Sequence, residues 1–176
     1  MPTLPTKLYR AEQVKELDRI AIEERGIPGL QLMERAGLAA FQYLRKHYPQ
    51  VRSVAVFCGA GNNAGDGYIV ARLALQAGLA VRVYAVAPPE TLRGDALLAY
   101  RRYVDQGGGT ETYRQGMDFN GSLIVDALLG TGLNREVSGL LAAAVTTINR
   151  SRAPVIALDI PLSLIHISEP TRLRRI

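Results

Sequence analysis

Three short stretches of the chain combine acidic or amide side chains with glycines or a proline, and each stretch follows an apolar run. The first, residues 59–67, reads Gly-Ala-Gly-Asn-Asn-Ala-Gly-Asp-Gly; the second is Asp126–Leu133, and the third, 159–161, reads Asp-Ile-Pro. The apolar runs predict buried strands, and the loops that follow parallel strands open at one edge of a sheet. We therefore expect the three stretches to form one site.

The first stretch has the composition of a phosphate-binding loop. Glycines allow a close backbone approach, so successive N–H groups can face an anion at the start of the next helix. The stretch matches neither the Gly-x-Gly-x-x-Gly fingerprint nor a Walker loop, and a tight structural turn explains the glycines equally well. Asn62, Asn63 and Asp66 are more than a turn needs, because their oxygens can hold ribose hydroxyls or a hard cation.

An acid stands at the end of each of the other two apolar runs. Asp126 follows Ile124 and Val125, so we expect it to be partly buried, which raises the pKa of a carboxyl and suits proton transfer. Capping of backbone amides explains Asp126 equally well, and it is slightly favoured for Asp159. Arg135 can hold a phosphate, although an exposed arginine is common.

The cysteine and the two histidines predict no site of their own. Cys58 ends an apolar run without a histidine near it in sequence, which favours a small buried residue over a nucleophile. His47 ends a predicted helix and His166 lies near the C-terminus, and neither has a partner at metal-ligand spacing.

Alternating strands and helices must position these stretches. Apolar residues three and four apart predict helices over 11–25 and 30–47, and a loop over 59–67 precedes the next helix. Strands are predicted at 54–58, 81–86, 110–113, 123–126 and 155–158, and further helices at 68–77, 91–106 and 139–150. This order predicts an α/β fold with a mostly parallel sheet covered on both faces.

The composition sets the class of protein. The chain has 176 residues, of which 48% are apolar and 21% charged, as in one folded domain. A net charge of +5 without a basic cluster argues against nucleic-acid binding. One cysteine excludes an internal disulfide framework. We expect neither a membrane span nor a signal peptide. We expect a cytoplasmic domain.

In their order, the three stretches resemble the motifs of the NAD(P)H-hydrate epimerases, the YjeF N-terminal domain family. Residues 32–37, Leu-Met-Glu-Arg-Ala-Gly, match its early helix, and the resemblance covers about residues 8–161. It implies a Rossmann-like three-layer α/β/α sandwich. It also implies repair of damaged cofactor, in which the R and S forms of hydrated NADH and NADPH (NADHX and NADPHX) are interconverted. A partner dehydratase, in many bacteria fused to this domain, then consumes the S form.

The resemblance further implies roles for individual residues. Asn63 and Asp126 would coordinate a potassium ion. Asp126 would also be the catalytic acid and base, which protonates the departing ring hydroxyl and then deprotonates the water that returns to the other face. The substrate would contact residues of all three stretches, namely Asn62, Asn63, Ala64, Gly65, Asp66, Gly130, Thr131, Gly132, Leu133, Asn134, Arg135, Glu136 and Asp159.

The chain departs from the family pattern at two places. Ala64 stands where the family usually has glycine, and Leu162 stands where it has the serine that completes the potassium site, with Ser163 one residue out of register. The match ends at Pro161. We therefore expect a partial family domain over 1–161, with an incomplete sheet and an unpaired edge, and a tail over 162–176 that is not native. An ordinary C-terminal surface strand and tail is the alternative.

Two other functions stay open. A non-catalytic nucleotide-binding or scaffold module would keep the fold and lack turnover, an effect that Leu162 could have. A nicotinamide-dependent oxidoreductase ranks last, because residues 83–85, Val-Tyr-Ala, stand where a dinucleotide-binding fold carries its ribose-binding acid. A homodimer is compatible with the resemblance.

Overall fold

A five-stranded parallel sheet forms the centre of the fold. The structure, a computed structural model, describes residues 11–117, 119, 121–130 and 136–159. The strands are β1 (Ser53–Cys58), β2 (Ala80–Ala85), β3 (Thr110–Thr112), β4 (Leu123–Ala127) and β5 (Val155–Ala157). Their order is β3-β2-β1-β4-β5, and each neighbouring pair is parallel. The predicted α/β fold is confirmed.

Among the described residues, five α-helices surround or precede the sheet. They are α1 (Ala11–Arg19), α2 (Gly29–His47), α3 (Asn62–Gln76), α4 (Gly94–Asp105) and α5 (Gly139–Arg150). A π-helical turn, Ile20–Glu24, continues α1, and a short 3-10 turn, Pro89–Thr91, precedes α4. In the described part of the chain, no helix combines the length and the hydropathy that crossing a bilayer requires.

The two faces of the sheet carry separate apolar clusters. Leu44 of α2, Ile69 of α3 and Ala99 of α4 pack with Val56 and Val125 on one face. On the other face, α5 packs over a second cluster, whose buried members include Ala55, Phe57, Tyr84, Ile124 and Ile148. Successive residues of β1 and β4 alternate between the two clusters, as side chains on a strand must. Burial on both faces therefore explains why these strands are continuously apolar in sequence.

The first helix lies largely outside both clusters. None of residues 12–19 is buried, and the exposed Arg19 guanidinium forms ion pairs with Glu16, Glu23 and Glu24. Because all four side chains are exposed, these pairs contribute little to stability.

The start of α3 corrects the sequence analysis. Residues 59–67 were expected to form a loop, whereas α3 begins at Asn62, directly after Gly61. Gly65 and Gly67 lie inside this helix at points where it touches other elements. A Cβ at Gly67 would lie 2.6 Å from the Ala127 Cβ of β4, and one at Gly65 would lie 2.9 Å from the Ala96 Cα of α4. These glycines permit close packing, and the prediction of a loop was wrong because their composition is that of a turn.

Candidate functional site

The carboxyl ends of β1, β4 and β5 lie side by side. The Gly59 N–H donates a hydrogen bond to the Ala127 carbonyl at 3.1 Å, and the Leu158 N–H donates to the Asp126 carbonyl at 2.9 Å. The described parts of the three predicted stretches are therefore brought to one edge of the sheet, where ligands of open α/β folds bind.

Asn63 reaches from α3 to the segment after β4. Its Nδ2 donates a hydrogen bond to the Leu129 carbonyl at 2.7 Å. Its Oδ1 is buried and accepts no hydrogen bond from any described residue, and the residue is only 7% exposed. A buried amide oxygen without a hydrogen-bond partner is energetically costly. The Asn63 Oδ1 is therefore suited to accept a hydrogen bond from a bound ligand or to coordinate a cation.

Asp126 is a buried carboxyl in β4. It is 6% exposed, and one carboxylate oxygen, Oδ1, accepts a hydrogen bond from the Leu128 N–H at 3.1 Å. Burial raises the pKa of Asp126 to about 6, although the hydrogen bond from Leu128 acts to lower it. The expected burial and its effect on the pKa are confirmed, and a carboxyl with this pKa can both give and take a proton near neutral pH.

Asp159 and Gly130 lie against each other. A Cβ added at Gly130 would lie 2.5 Å from the Asp159 Oδ2 and 3.4 Å from the Asn63 Cβ. Glycine at this position therefore allows the ends of β4 and β5 to approach α3. Asp159 has a φ of 71°, a left-handed conformation that is uncommon for a residue other than glycine and that occurs preferentially at functional sites.

Asp66 lies one helical turn after Asn63, so the two side chains share a face of α3. Burial, together with the smaller effects of the nearby Asp159 and Asp18 carboxylates, raises the pKa of Asp66 to about 7. A neutral carboxyl is therefore available here at physiological pH.

The other residues expected to bind substrate differ in what they can present. Asn62 and Glu136 are exposed, whereas Ala64 and Gly65 are buried within the first turn of α3 and can offer only backbone atoms. The Ala64 methyl packs into the apolar cluster formed with α2 and α4, so the fold accommodates alanine at this position. Several predicted residues lie outside the described residues, namely Thr131, Gly132, Leu133, Asn134, Arg135, Leu162 and Ser163.

Cys58 has the expected packing role. It is fully buried, and burial raises the pKa of its thiol. His47 stacks on the Tyr43 ring, with the centroids 4.2 Å apart. Within the described ranges, no three His, Cys, Asp or Glu side chains form a group that could hold a metal ion.

Sequence reasoning missed two backbone groups of the site. The Leu128 N–H binds the Asp126 carboxylate, and the Leu129 carbonyl binds the Asn63 amide. Their side chains are apolar, so residue type carries no signal for either contact.

Comparison with known proteins gives a family match over most of the chain. Residues 29–166 match the family described as YjeF-related protein N-terminus. Over 157 residues the chain is 34% identical to the protein named NAD(P)H-hydrate epimerase from Limosilactobacillus fermentum, covering 86% of this chain and 72% of that protein. The Rhodobacter capsulatus protein of the same name is 35% identical to this chain over 166 residues, covering 89% of this chain and 76% of that protein.

Longer relatives match the same region. The chain is 40% identical over 156 residues to the protein named bifunctional NAD(P)H-hydrate repair enzyme Nnr from Coxiella burnetii, covering 89% of this chain and 32% of that protein. The chain therefore spans about a third of the length of such relatives. The crystal structure of the yeast protein ynu0 has a similar fold, with a TM-score of 0.78 at 21% identity, covering 88% of this chain and 70% of that one.

Proposed function

Because the chain belongs to the family of YjeF-related protein N-termini, we propose that it interconverts the R and S epimers of hydrated NADH and NADPH. Relatives of this chain are named for NAD(P)H-hydrate epimerisation. The observation that carries the proposal is Asp126, a buried carboxyl with a pKa near neutrality at the edge where three strands end. Epimerisation of a hydrate needs such a group. The ring hydroxyl must take up a proton to leave as water, and the water that adds back must lose a proton to become a hydroxyl.

The reaction balances with a single proton moving in and out. The Asp126 carboxyl protonates the ring hydroxyl, the C–O bond breaks, and water leaves. The lone pair of the ring nitrogen stabilises the resulting cation. A water then adds to the opposite face of the ring, its oxygen forms the new C–O bond, and its proton returns to a carboxylate.

The residues around Asp126 would hold the substrate. We propose that Asn62, Asp66 and Asp159 contact its polar groups, and that Gly130 lets it approach the backbone closely. The convergence of the Asn63 and Asp159 side chains on Gly130 supports this assignment. Further contacts are proposed for the neighbouring positions Ala64, Gly65, Thr131, Gly132, Leu133, Asn134, Arg135 and Glu136.

We also propose a potassium ion held by Asn63 and Asp126. The unpartnered Asn63 Oδ1 and the Asp126 carboxylate are buried oxygen atoms, and hard cations take oxygen ligands. When bound, the ion would supply positive charge beside the buried carboxylate. Potassium chloride should therefore raise the melting temperature of the wild-type chain more than sodium chloride of equal strength does, and Asn63→Ala should abolish the difference. Equal melting temperatures of the wild type in both salts would contradict the ion site.

The proposed reaction is tested with purified R epimer and a dehydratase that consumes only the S epimer. The chain should accelerate consumption of the R epimer, and Asp126→Asn should lower this acceleration by about 100-fold or more. Glu111→Gln, at an exposed acid of β3, is the matched control and should leave the rate unchanged. Full activity of Asp126→Asn would remove Asp126 from the assigned role.

The same assay distinguishes the proposed enzyme from the alternative, a non-catalytic nucleotide-binding or scaffold module. Leu162, in place of the family serine, is the feature that would explain a loss of turnover. Binding of the hydrate without acceleration would favour that alternative. The functional partner we propose is a dehydratase, either as a separate protein or as a domain of the same polypeptide. The division of the chain into 1–161 and 162–176, and a homodimer, remain parts of the proposal.

A further inference from the structure

Met33 of α2 packs directly against the start of α3, residues 62–66. A Cβ added at Gly65 would lie 2.5 Å from the Met33 Sδ and 2.9 Å from its Cε, so the thioether occupies the space that a larger residue at position 65 would need. Met33 is 8% exposed and Gly65 is buried. The two residues are therefore in close contact in the interior of the protein.

Helix α4 contacts Gly65 as well. The same added Cβ would lie 2.9 Å from the Ala96 Cα, an atom of the α4 backbone, and Ala96 is buried. Gly65 therefore lies between a backbone, which no side-chain rotation can move, and the side chain of Met33. Because protein interiors are close-packed, the Met33 side chain determines how closely α2 and α3 approach at this point.

Other contacts hold the rest of α3 on α2. A Cβ at Gly37 would lie 2.5 Å from the Ile69 Cγ2, and the Glu34 carboxylate forms an ion pair with Arg72. These contacts lie further along α3 than Gly65 and do not involve the Met33 side chain. Loss of that side chain should therefore release the start of α3 while the remainder of the helix stays in place.

The start of α3 carries polar groups of the candidate site. Asn63, two residues before Gly65, donates a hydrogen bond from its Nδ2 to the Leu129 carbonyl at 2.7 Å, just after β4. The Asn63 Oδ1 is buried and has no partner among the described residues. Since the two residues belong to one helical turn, a displacement at Gly65 moves Asn63 relative to the end of β4.

We propose that Met33 is a positioning residue for the site. Its thioether packs against Gly65 and thereby fixes the Asn63 amide relative to the end of β4. This inference rests on the proposed function and deepens it. An unbranched thioether suits the role because methionine fills irregular gaps between packed elements. Without it the start of α3 can move, and a misplacement of about 1 Å can lower a rate by about 100-fold.

Met33→Ala deletes the contact, and Leu44→Ala is the matched control. Leu44 is fully buried on the same helix and belongs to the same apolar cluster, so both variants should lower the unfolding midpoint. At a temperature where circular dichroism shows them folded, Met33→Ala should lower kcat/KM for the R epimer by about 10-fold or more. Leu44→Ala should leave kcat and KM at the wild-type values, and Met33→Leu, which conserves the side-chain volume, should restore most of the rate.

Milder variants keep the comparison available. Met33→Val and Leu44→Val remove less volume than the alanine variants and make the same comparison should an alanine variant not fold. Equal losses of kcat/KM in the Met33 and Leu44 variants, or wild-type kinetics in the folded Met33 variant, would overturn the positioning role.

A second readout needs no turnover. The Asn63 side-chain amide gives a pair of signals in the ¹H–¹⁵N spectrum, which are assigned by their loss in Asn63→Asp. Met33→Ala should shift these signals and speed the exchange of the amide protons with water, because the hydrogen bond to the Leu129 carbonyl is weakened. Leu44→Ala should leave them in place.

The two readouts separate the positioning role from the proposed function. Unshifted Asn63 signals in Met33→Ala would overturn the positioning role even if the wild type is active. A wild-type chain that leaves both epimers unchanged, while Met33→Ala shifts the Asn63 signals, would instead overturn the proposed function alone.

Discussion

The contact between α3 and β4 can be perturbed with a single methyl group. In Gly67→Ala the new Cβ would lie 2.6 Å from the Ala127 Cβ, about 0.8 Å closer than the 3.4 Å at which ordinary contact begins, and 3.1 Å from the Cys58 Sγ. Both neighbours are fully buried, so they have little room to move. The helix must therefore shift away from the sheet.

The expected loss of stability is the difference between two effects. Overpacking a core costs about 1–3 kcal/mol, whereas replacing glycine by alanine inside a helix contributes about 1 kcal/mol in favour of folding. The difference predicts that the free energy of unfolding falls by up to about 2 kcal/mol. The same shift displaces Asn63 and Asp66, and because a misplacement of about 1 Å can lower a rate by about 100-fold, activity should fall more than stability.

Urea unfolding followed by circular dichroism, together with the epimer interconversion rate, measures both effects. Gly109→Ala is the control, since a Cβ there would meet nothing within 4 Å, and it should leave the unfolding midpoint and the rate unchanged. If Gly67→Ala matches this control in both measurements, the close packing of α3 on β4 does not position the site.

Three further predictions concern charge and packing. Burial raises the pKa of Asp66 to about 7, above the ~3.9 of an unfolded chain, so the folded state keeps a proton that the unfolded state releases. As the pH falls from 8 to 5, the free energy of unfolding of the wild type should therefore rise by about 1–3 kcal/mol relative to that of Asp66→Asn, measured by urea titration. Parallel pH profiles of the two proteins would contradict the burial of this carboxyl. Glu34 binds arginines of both α3 and α4, so Glu34→Gln should lower the free energy of unfolding by about 1 kcal/mol, while Glu16→Gln in the exposed pairs of α1 should leave the midpoint unchanged. Ala64→Gly should cost about 2 kcal/mol in thermal unfolding, because it removes a buried methyl and lowers helix propensity. An unchanged melting temperature would show that this methyl does not contribute to the core.

Much of the fold follows from local patterns in the sequence. Residues 54–58 and 123–126 are continuously apolar because β1 and β4 are buried on both faces, so their positions could be predicted to within a residue. The burial of Asp126 could also be predicted, since it continues an apolar strand. The start of α3 could not be predicted, because glycines that serve close helix packing have the same composition as glycines that serve a turn.

The positions of the strands along the chain and the residue types of the three stretches were thus set by residues close together in the sequence, through the apolar pattern of each strand and the side chains at its end. Only the tertiary structure decided that the Asn63 Oδ1 is buried without a partner among the described residues, and that α3 and α5 cover opposite faces of the sheet. Those properties depend on which face each helix covers and on contacts such as Gly67 with Ala127. Residues 60 positions apart in the chain meet there, and no local pattern specifies such a meeting.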